Sequence, residues 1–285
     1  MPANYQSNLI ALFGSPVAEN PTCLMQNTAF LSAGLPWQYV TLEVPPEKLP
    51  DAIRGTRALG LRGLNLTVPH KVAVIPLLDE VRPDAALIGA VNTVRVEHGR
   101  LIGENTDGKG FLRGIRDDAH LDPAGKSAVI LGAGGAARAI AVELALAGIA
   151  HITLVNRSLP RAAAMLNDLT SRTTVSADFV PLDKLYRIPR SAHLLINATS
   201  VGLFPDVDAI LPLSLDDAAP NLLVCDAVPN PPETRLIREA RARGLQALTG
   251  LSMLVYQGAI GFKMWTGLAP NEHAMKSALT QAFAS

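Results

Sequence analysis

Cysteine is nearly missing from this sequence: Cys23 and Cys225 are the only two in 285 residues, far apart and without CxxC or Cys/His spacing. That argues against a disulfide framework and a structural zinc site, and fits a reduced, cytoplasmic setting. Net charge is missing too, since 25 basic side chains balance 25 acidic ones, without the cationic clusters that nucleic acid demands. Aromatic residues make up 5% of the chain, too few for base-stacking platforms. No apolar run reaches the roughly 18 residues of a membrane span; "AIAVELALAGIAHITLV" is broken by Glu143, Gly148 and His151. The opening "MPANYQSNLIALFG" has neither the positive n-region nor the long apolar stretch of a signal peptide. What remains is the expectation of a soluble protein without a metal site, and these counts do not separate a monomer from a homodimer.

The 48% of the chain that is hydrophobic can build a sizeable core, in one large or two medium domains. Short β-branched runs alternate with longer helical patterns, which implies α/β architecture with βαβ units and parallel sheets. In the first third the strands are read at "LIALF", "QYVTLEV" and "GLNLTV", and helices at "LPDAIRGTRAL" and "KVAVIPLLDEV". "NTVRVEHGRLIGEN" reads as a hairpin turning at His98-Gly99, and "GKGFLRGIRDDA" as a helix running into the turn-rich "DPAGK" at 122–126. Then come "SAVILGAGGAARAIAVELALAG" and strands at "HITLV", "DFVPL", "HLLINA" and "LLVCD". Past Gly250 the pattern is helical to the end, with Asn271 as N-cap of the last helix.

"LGAGGAA" carries Gly132, Gly134 and Ala137 in the G-x-G-x-x-G/A spacing, with Ala133, Gly135 and Ala136 between them. The first glycine makes a tight turn, the second admits a pyrophosphate, and the small third residue allows close helix packing. The helix N-terminus then offers free N–H groups and partial positive charge to the phosphates. A strand precedes this turn and a helix and strand follow it, as dinucleotide binding requires. About 20 residues on, an NAD site places an acidic residue for the ribose 2′-OH. Here "NRSLPR" supplies Asn156, Arg157, Ser158 and Arg161, and a guanidinium suits a 2′-phosphate by charge and geometry. The dinucleotide expected is therefore NADP.

Nicotinamide chemistry on a carbonyl moves a hydride to carbon and a proton to oxygen, and the protein must handle the proton. "GLNLTVPHK" presents Asn65, Thr67, His70 and Lys71; "IGAVNTV" adds Asn92, and "GENTDGKGF" adds Asn105, Thr106 and Asp107. Singly, each has an ordinary reading as a turn, strand or solvated residue. Together with "FGSP", "LGAGGAARA", "NRS", "NATSVGL" and "GLSMLVYQGAIGFKMWTG", in this order, they resemble the shikimate dehydrogenases, quinate/shikimate dehydrogenases included. The matched segments run from residue 13 to 267.

That resemblance implies two α/β domains with a cleft between them. Residues 1–108 would bind substrate, 109–249 would form a Rossmann NADP-binding domain, and helices in 250–285 would return to the first. It implies reversible oxidation of shikimate, or a related cyclic hydroxy acid such as quinate, in the chorismate pathway of aromatic amino acid biosynthesis. Lys71 would be the catalytic lysine with Asp107 as its partner; Asn65, Thr67, Asn92 and Gln257 would bond the ring hydroxyls. Thr199 and Ser200 of "NATSVGL" would lie below the cofactor. Val228, Gly250 and Met253 complete its contacts, Met253 on the nicotinamide side. His70 is a second candidate acid, set against a structural role.

The sequence leaves the family pattern at one end of the substrate. Two serines usually bind the carboxylate from the first loop; "GSPVAENPT" places Asn20 and Thr22 there, and both can still donate hydrogen bonds. Cys23 stands for a usual proline and Glu19 for a histidine, while Pro229 in "DAVPNP" replaces a usual tyrosine and offers neither hydroxyl nor N–H. These changes point to a retained reaction with altered acid recognition. Two rivals stand beside this reading. A methylenetetrahydrofolate-type dehydrogenase would need Tyr-x-x-x-Lys, and none of Tyr5, Tyr39, Tyr186 and Tyr256 has a lysine four residues on. A catalytically silent NADP-binding regulator would have no need of Lys71 and Asp107.

Overall fold

A computed structural model describes residues 6–284; Tyr5 and the head of the N-terminal stretch lie outside the described residues. The chain divides into two compact units. One runs to Thr106 and resumes at Gly258; the other is Asp107–Gln257.

The first unit is built on a six-stranded sheet. Its strands are β1 (Asn8–Gly14), β2 (Trp37–Glu43), β3 (Gly63–Leu66), β4 (Glu80–Val81), β5 (Thr93–Glu97) and β6 (Arg100–Glu104), in the order β2-β1-β3-β5-β6-β4. β1 runs parallel to β2 and β3, whereas β5 is antiparallel to both β3 and β6. The expected hairpin forms, with φ of 50° at His98 and 78° at Gly99, the left-handed pair that a tight two-residue turn requires. Helices α1 (Thr22–Ser32), α2 (Leu49–Ala58), α3 (His70–Ala73) and α4 (Pro83–Ile88) connect the strands. Phe13, Ile53, Leu64, Leu66, Val91 and Leu101 belong to the core on one side of the sheet.

One expectation fails here. "KVAVIPLLDEV" is not a continuous helix: α3 is a single turn, Ile75–Leu77 is a 3₁₀ turn, and Glu80–Val81 is a strand. Pro76 removes a backbone donor and pushes the residue before it away from helical geometry, so the apolar period cannot become an α-helix.

In the second unit α5 (Asp107–Asp117) leads to β7 (Ser127–Leu131), α6 (Gly135–Leu146), β8 (His151–Asn156), α7 (Leu159–Arg172) and β9 (Ser176–Pro181). A short pair, β10 (Tyr186–Arg187) and β12 (Leu213–Ser214), brackets β11 (Leu194–Asn197); β13 (Leu223–Asp226), α8 (Arg235–Ala242) and β14 (Gln246–Leu248) follow. The main sheet runs β14-β13-β11-β7-β8-β9 and is parallel throughout. Counted within this sheet, that is the 3-2-1-4-5-6 order of a doubly wound dinucleotide fold. α9 (Gly250–Thr266) and α10 (Glu272–Ala284) end the chain, and Asn271 caps α10 by accepting the Ala274 N–H at 3.0 Å. None of the helices is long and apolar enough to cross a membrane, among the described residues.

Candidate active site

In the first unit the strand ends gather most of the expected substrate residues. Lys71 lies half-buried in α3, and its carbonyl accepts the Val91 N–H at 2.8 Å. That bond ties α3 to the segment entering Asn92. Leu66 N–H donates to the Asn92 carbonyl at 2.8 Å and Asn92 N–H to the Glu104 carbonyl at 3.1 Å, which fixes Asn92 between β3 and β6. Thr67 is half-buried just past β3, its N–H bonded to the Phe13 carbonyl at 2.9 Å.

Asn65 and Asn92 are buried, and their side chains are bonded inside the unit. Asn65 Nδ2 donates to the Asn92 carbonyl at 3.0 Å and to Thr93 Oγ1 at 2.9 Å, while its Oδ1 accepts from the Tyr39 hydroxyl at 2.7 Å. Both amide hydrogens are thereby committed, so towards a ligand Asn65 can act only as an acceptor. His70 is 1% exposed, and its Nε2 lies 2.7 Å from the Val44 carbonyl. A carbonyl only accepts, so Nε2–H donates and the ring ties α3 to the end of β2. His70 is thus a structural histidine.

The loop after β1 presents Asn20 and Thr22 as a joined pair. The Thr22 N–H donates to Asn20 Oδ1 at 3.0 Å, which leaves the amide nitrogen as the donating end of Asn20. Thr22 opens α1 and is 6% exposed.

In the second unit the glycine turn lies at the point where strand order reverses, between β7 and β11. Gly132 has φ +109°, and a Cβ there would meet the Ala198 carbonyl at 2.9 Å and Thr199 Cγ2 at 3.1 Å. No other residue fits that turn. Around Gly134 and Gly135 the Cβ positions face open space, and no side chain caps α6, so its free N–H groups remain for an anion. Arg157 and Arg161 are exposed beyond β8, without an ion-pair partner among the described residues; Asn156, where an NAD site has a carboxylate, bonds the Ser158 carbonyl through Nδ2 at 3.0 Å. These features fit a dinucleotide bearing a 2′-phosphate.

Thr199 and Ser200 sit in a loop braced from below. Asn197 Oδ1 accepts the Thr199 N–H at 3.1 Å and hydroxyl at 2.7 Å, and its Nδ2 donates to Asp226 Oδ1 at 3.0 Å. Asp226 also accepts from Val228 N–H at 2.9 Å and the Thr234 hydroxyl at 2.7 Å. Burial raises its carboxyl from 3.8 to about 6, against the opposing pull of those hydrogen bonds. Sequence reading missed this brace; its only trace is a carboxylate closing the apolar "LLVCD". Gly250 packs on Val228, where a Cβ would lie 2.2 Å from the Val228 carbonyl. Asp107 opens α5 half-buried; Met253 and Gln257 lie on α9, the Gln257 amide donating to the Leu254 carbonyl at 3.0 Å. Asp107 and Gln257 belong to the second unit, as does the cofactor candidate Met253, and the other expected catalytic and substrate residues belong to the first.

A glycine turn at the switch point of a parallel 3-2-1-4-5-6 sheet, with cations past the second strand, defines the Rossmann-type class of nucleotide-dependent α/β proteins. Comparison with known proteins narrows that class. Residues 12–94 match the shikimate dehydrogenase substrate binding domain, 117–204 the shikimate/quinate 5-dehydrogenase model, and 250–280 the shikimate 5′-dehydrogenase C-terminal domain. The chain is 44% identical to the shikimate dehydrogenase (NADP(+)) of Methanopyrus kandleri, covering 97% of this chain and 96% of that one. It belongs to the shikimate dehydrogenase family. Among solved structures, shikimate 5-dehydrogenase of Thermus thermophilus, in complex with NADP(H) and shikimate, is 41% identical. The match covers 96% of this chain and 99% of that one, with a TM-score of 0.84. A ligand-free 5-ketofructose reductase of Gluconobacter sp. strain CHM43 is 43% identical over 98% of this chain and 99% of that one, with a TM-score of 0.94.

Proposed function

We propose that this protein is an NADP-dependent dehydrogenase that interconverts shikimate, or a closely related hydroxylated ring acid such as quinate, with its 3-dehydro ketone. The observation that carries this is full-length similarity to NADP-dependent shikimate dehydrogenases in a chain that keeps Asn65, Thr67, Lys71, Asn92, Asp107 and Gln257. Gly132–Gly135, Ala136, Asn156, Arg157, Ser158, Arg161, Thr199, Ser200, Val228, Gly250 and Met253 are assigned to the cofactor. NADP, when bound, supplies the hydride acceptor. Lys71 and Asp107 are assigned the proton: as the alcohol carbon gives up its hydride, the hydroxyl gives its proton to this pair, and a C=O bond forms. An ammonium and a carboxylate sharing the substrate hydroxyl can relay one proton while the hydride leaves the same carbon. Residues 1–108 with 250–285 are proposed to bind substrate and 109–249 to bind NADP.

A second reading is favoured by Asn20. An amide and a threonine hydroxyl are neutral donors suited to hydroxyls as well as to a carboxylate, and Pro229 offers no phenol. The likeness to a 5-ketofructose reductase supports an uncharged polyhydroxylated ketone as substrate of the same site. One assay separates the readings: NADP⁺ reduction with shikimate and quinate, and NADPH oxidation with 5-ketofructose, each with Lys71→Ala alongside. Lysine-dependent turnover of shikimate or quinate supports the first reading. Turnover of 5-ketofructose alone replaces it with the second. NADP binding without lysine-dependent turnover of any of the three would overturn both and leave a silent NADP-binding protein.

A further inference from the structure

A line of buried polar groups crosses the first unit from β2 to the end of β6. Tyr39, Asn65, Asn92, Thr93 and Thr106 are 3%, 6%, 3%, 0% and 0% exposed. In register, Tyr39 lies opposite Ile10 and Asn65 opposite Leu12, on the two sides of β1. The Tyr39 hydroxyl therefore reaches over β1 to Asn65.

Hydrogen-bond logic gives this line one direction. The Asn92 carbonyl can only accept, so the amide of Asn65 that faces it must be Nδ2, and Oδ1 is left to accept from Tyr39. Thr93 Oγ1 accepts the other Asn65 hydrogen. Its own hydrogen then goes to Thr106 Oγ1, 3.1 Å away, because the reverse would leave the Thr93 proton without an acceptor. At the far end the Thr106 backbone N–H donates to Asn92 Oδ1 at 2.8 Å, which settles that carboxamide with Nδ2 on Thr106 Oγ1 at 2.9 Å. Burial keeps the Tyr39 phenol protonated by raising it well above its ordinary value, so the first donor in the line does not switch off.

We propose that Tyr39 and Thr93 are positioning residues of the substrate site: through Asn65 and Thr106 they hold the Asn92 carboxamide in one orientation, with Nδ2 its donating end. Neither touches the reacting atoms. In a dry network each bond restrains its neighbours, and a missing one leaves a buried group to seek another partner by rotating. Removing the Thr93 hydroxyl takes away one of the two acceptors of Asn65 Nδ2 and a donor to Thr106 together. Removing the Tyr39 hydroxyl takes away the lock on Asn65 Oδ1, and a flipped Asn65 would set oxygen against the Asn92 carbonyl.

The kinetic consequence rests on the function proposed above. Thr93→Val and Tyr39→Phe, compared with Thr93→Ser, are assayed with whichever of shikimate, quinate and 5-ketofructose the wild-type protein turns over, and with NADP binding measured separately. A loosened neutral hydrogen bond to substrate is expected to raise KM roughly three- to tenfold with NADP affinity unchanged, and Thr93→Ser should restore KM to within about twofold. The side-chain amide resonances of Asn65 and Asn92 in ¹⁵N spectra read the same network without turnover. They should shift or broaden in Thr93→Val and Tyr39→Phe and stay in place in Thr93→Ser. Unmoved resonances overturn the network itself, whatever the activity. Moved resonances with unchanged KM in an active enzyme reduce it to a purely structural brace and overturn the positioning role. If the wild type turns over none of the three, the function proposed above fails, and the resonances alone decide whether Asn92 is held.

Discussion

Replacing Asp226 by asparagine should stabilise the protein at pH 8, and by more there than at pH 5. Asp226 is 1% exposed, and its carboxylate accepts from Asn197, Val228 and Thr234. No cation pairs with it among the described residues. Its neighbour Cys225 is itself buried, and the nearby Arg235 and Glu239 are bonded to each other at 2.7 Å. Hydrogen bonds without a counter-charge only partly offset burial, which is why the carboxyl rises from 3.8 to about 6. Between those values the folded protein holds a proton that the unfolded chain has lost, so stability falls as pH rises through this window and then levels off. The shift corresponds to about 3 kcal/mol above pH 7 and to about half of that at pH 5.

Asparagine reproduces the protonated form. Its Oδ1 accepts from Asn197 and Val228, and its Nδ2 donates to the Thr234 hydroxyl. The expected gain in Tm is about 6–12 °C at pH 8 and roughly half as much at pH 5, read by calorimetry or dye-monitored melting of both proteins in the same buffers. NADP affinity should hold, since the loop bearing Thr199 keeps its brace, whereas Asp226→Leu should lose affinity and stability together. The reasoning would be refuted by an Asp226→Asn protein no more stable than wild type at pH 8. A gain of the same size at both pH values would refute it too.

Other expectations can be checked on the same preparation. Lys71→Ala should lower kcat at least a hundredfold while NADP affinity stays put, because a general acid–base group contributes about 10²–10⁴-fold. Arg157→Ala with Arg161→Ala should weaken NADP roughly ten- to a hundredfold and leave NAD almost untouched, as loss of charged hydrogen bonds to a 2′-phosphate predicts; equal losses for both cofactors in a binding titration would remove the 2′-phosphate from the argument. Gly110→Ala puts a Cβ 2.6 Å from the Gln257 nitrogen and 2.8 Å from the Met253 carbonyl. Overpacking against backbone should cost about 1–3 kcal/mol, seen as a lower denaturation midpoint. Asn20→Ser with Thr22→Ser should raise kcat/KM for shikimate about tenfold or more if a charged hydrogen bond is regained, and unchanged kinetics would end this account of the loop.

Much of the fold was legible because it rests on local chemistry. The strand, glycine turn and helix around Gly132 follow one another within a short stretch of chain, and the hairpin at His98-Gly99 is set by two adjacent backbone conformations. Elements whose buried faces are partly polar are less visible. α1 buries Thr22 and Gln26 beside Met25 and Phe30, and half of the residues of α8 are charged, over a narrow face of Leu236, Ile237 and Ala240. Their apolar period is diluted, so neither stands out in the sequence. Pro76 has the opposite effect, since an apolar run around it looks helical although its backbone chemistry forbids a helix.

The candidate site divides along the same line. Lys71, Asn92 and Asp107 could be picked out as polar residues at strand and turn ends, where side chains have reason to meet a ligand. Tyr39 could not, because its partner Asn65 stands 26 residues away and meets it only after β1 pairs with both β2 and β3. Nothing within a short window of sequence encodes that meeting; the register of three strands does. The same holds for Asp226, which reaches Asn197 through the pairing of β13 with β11. Groups that face a ligand tend to sit where the chain turns and so announce themselves locally. Groups that hold those residues in place are set by strand pairing, and they emerge only once the sheet is assembled.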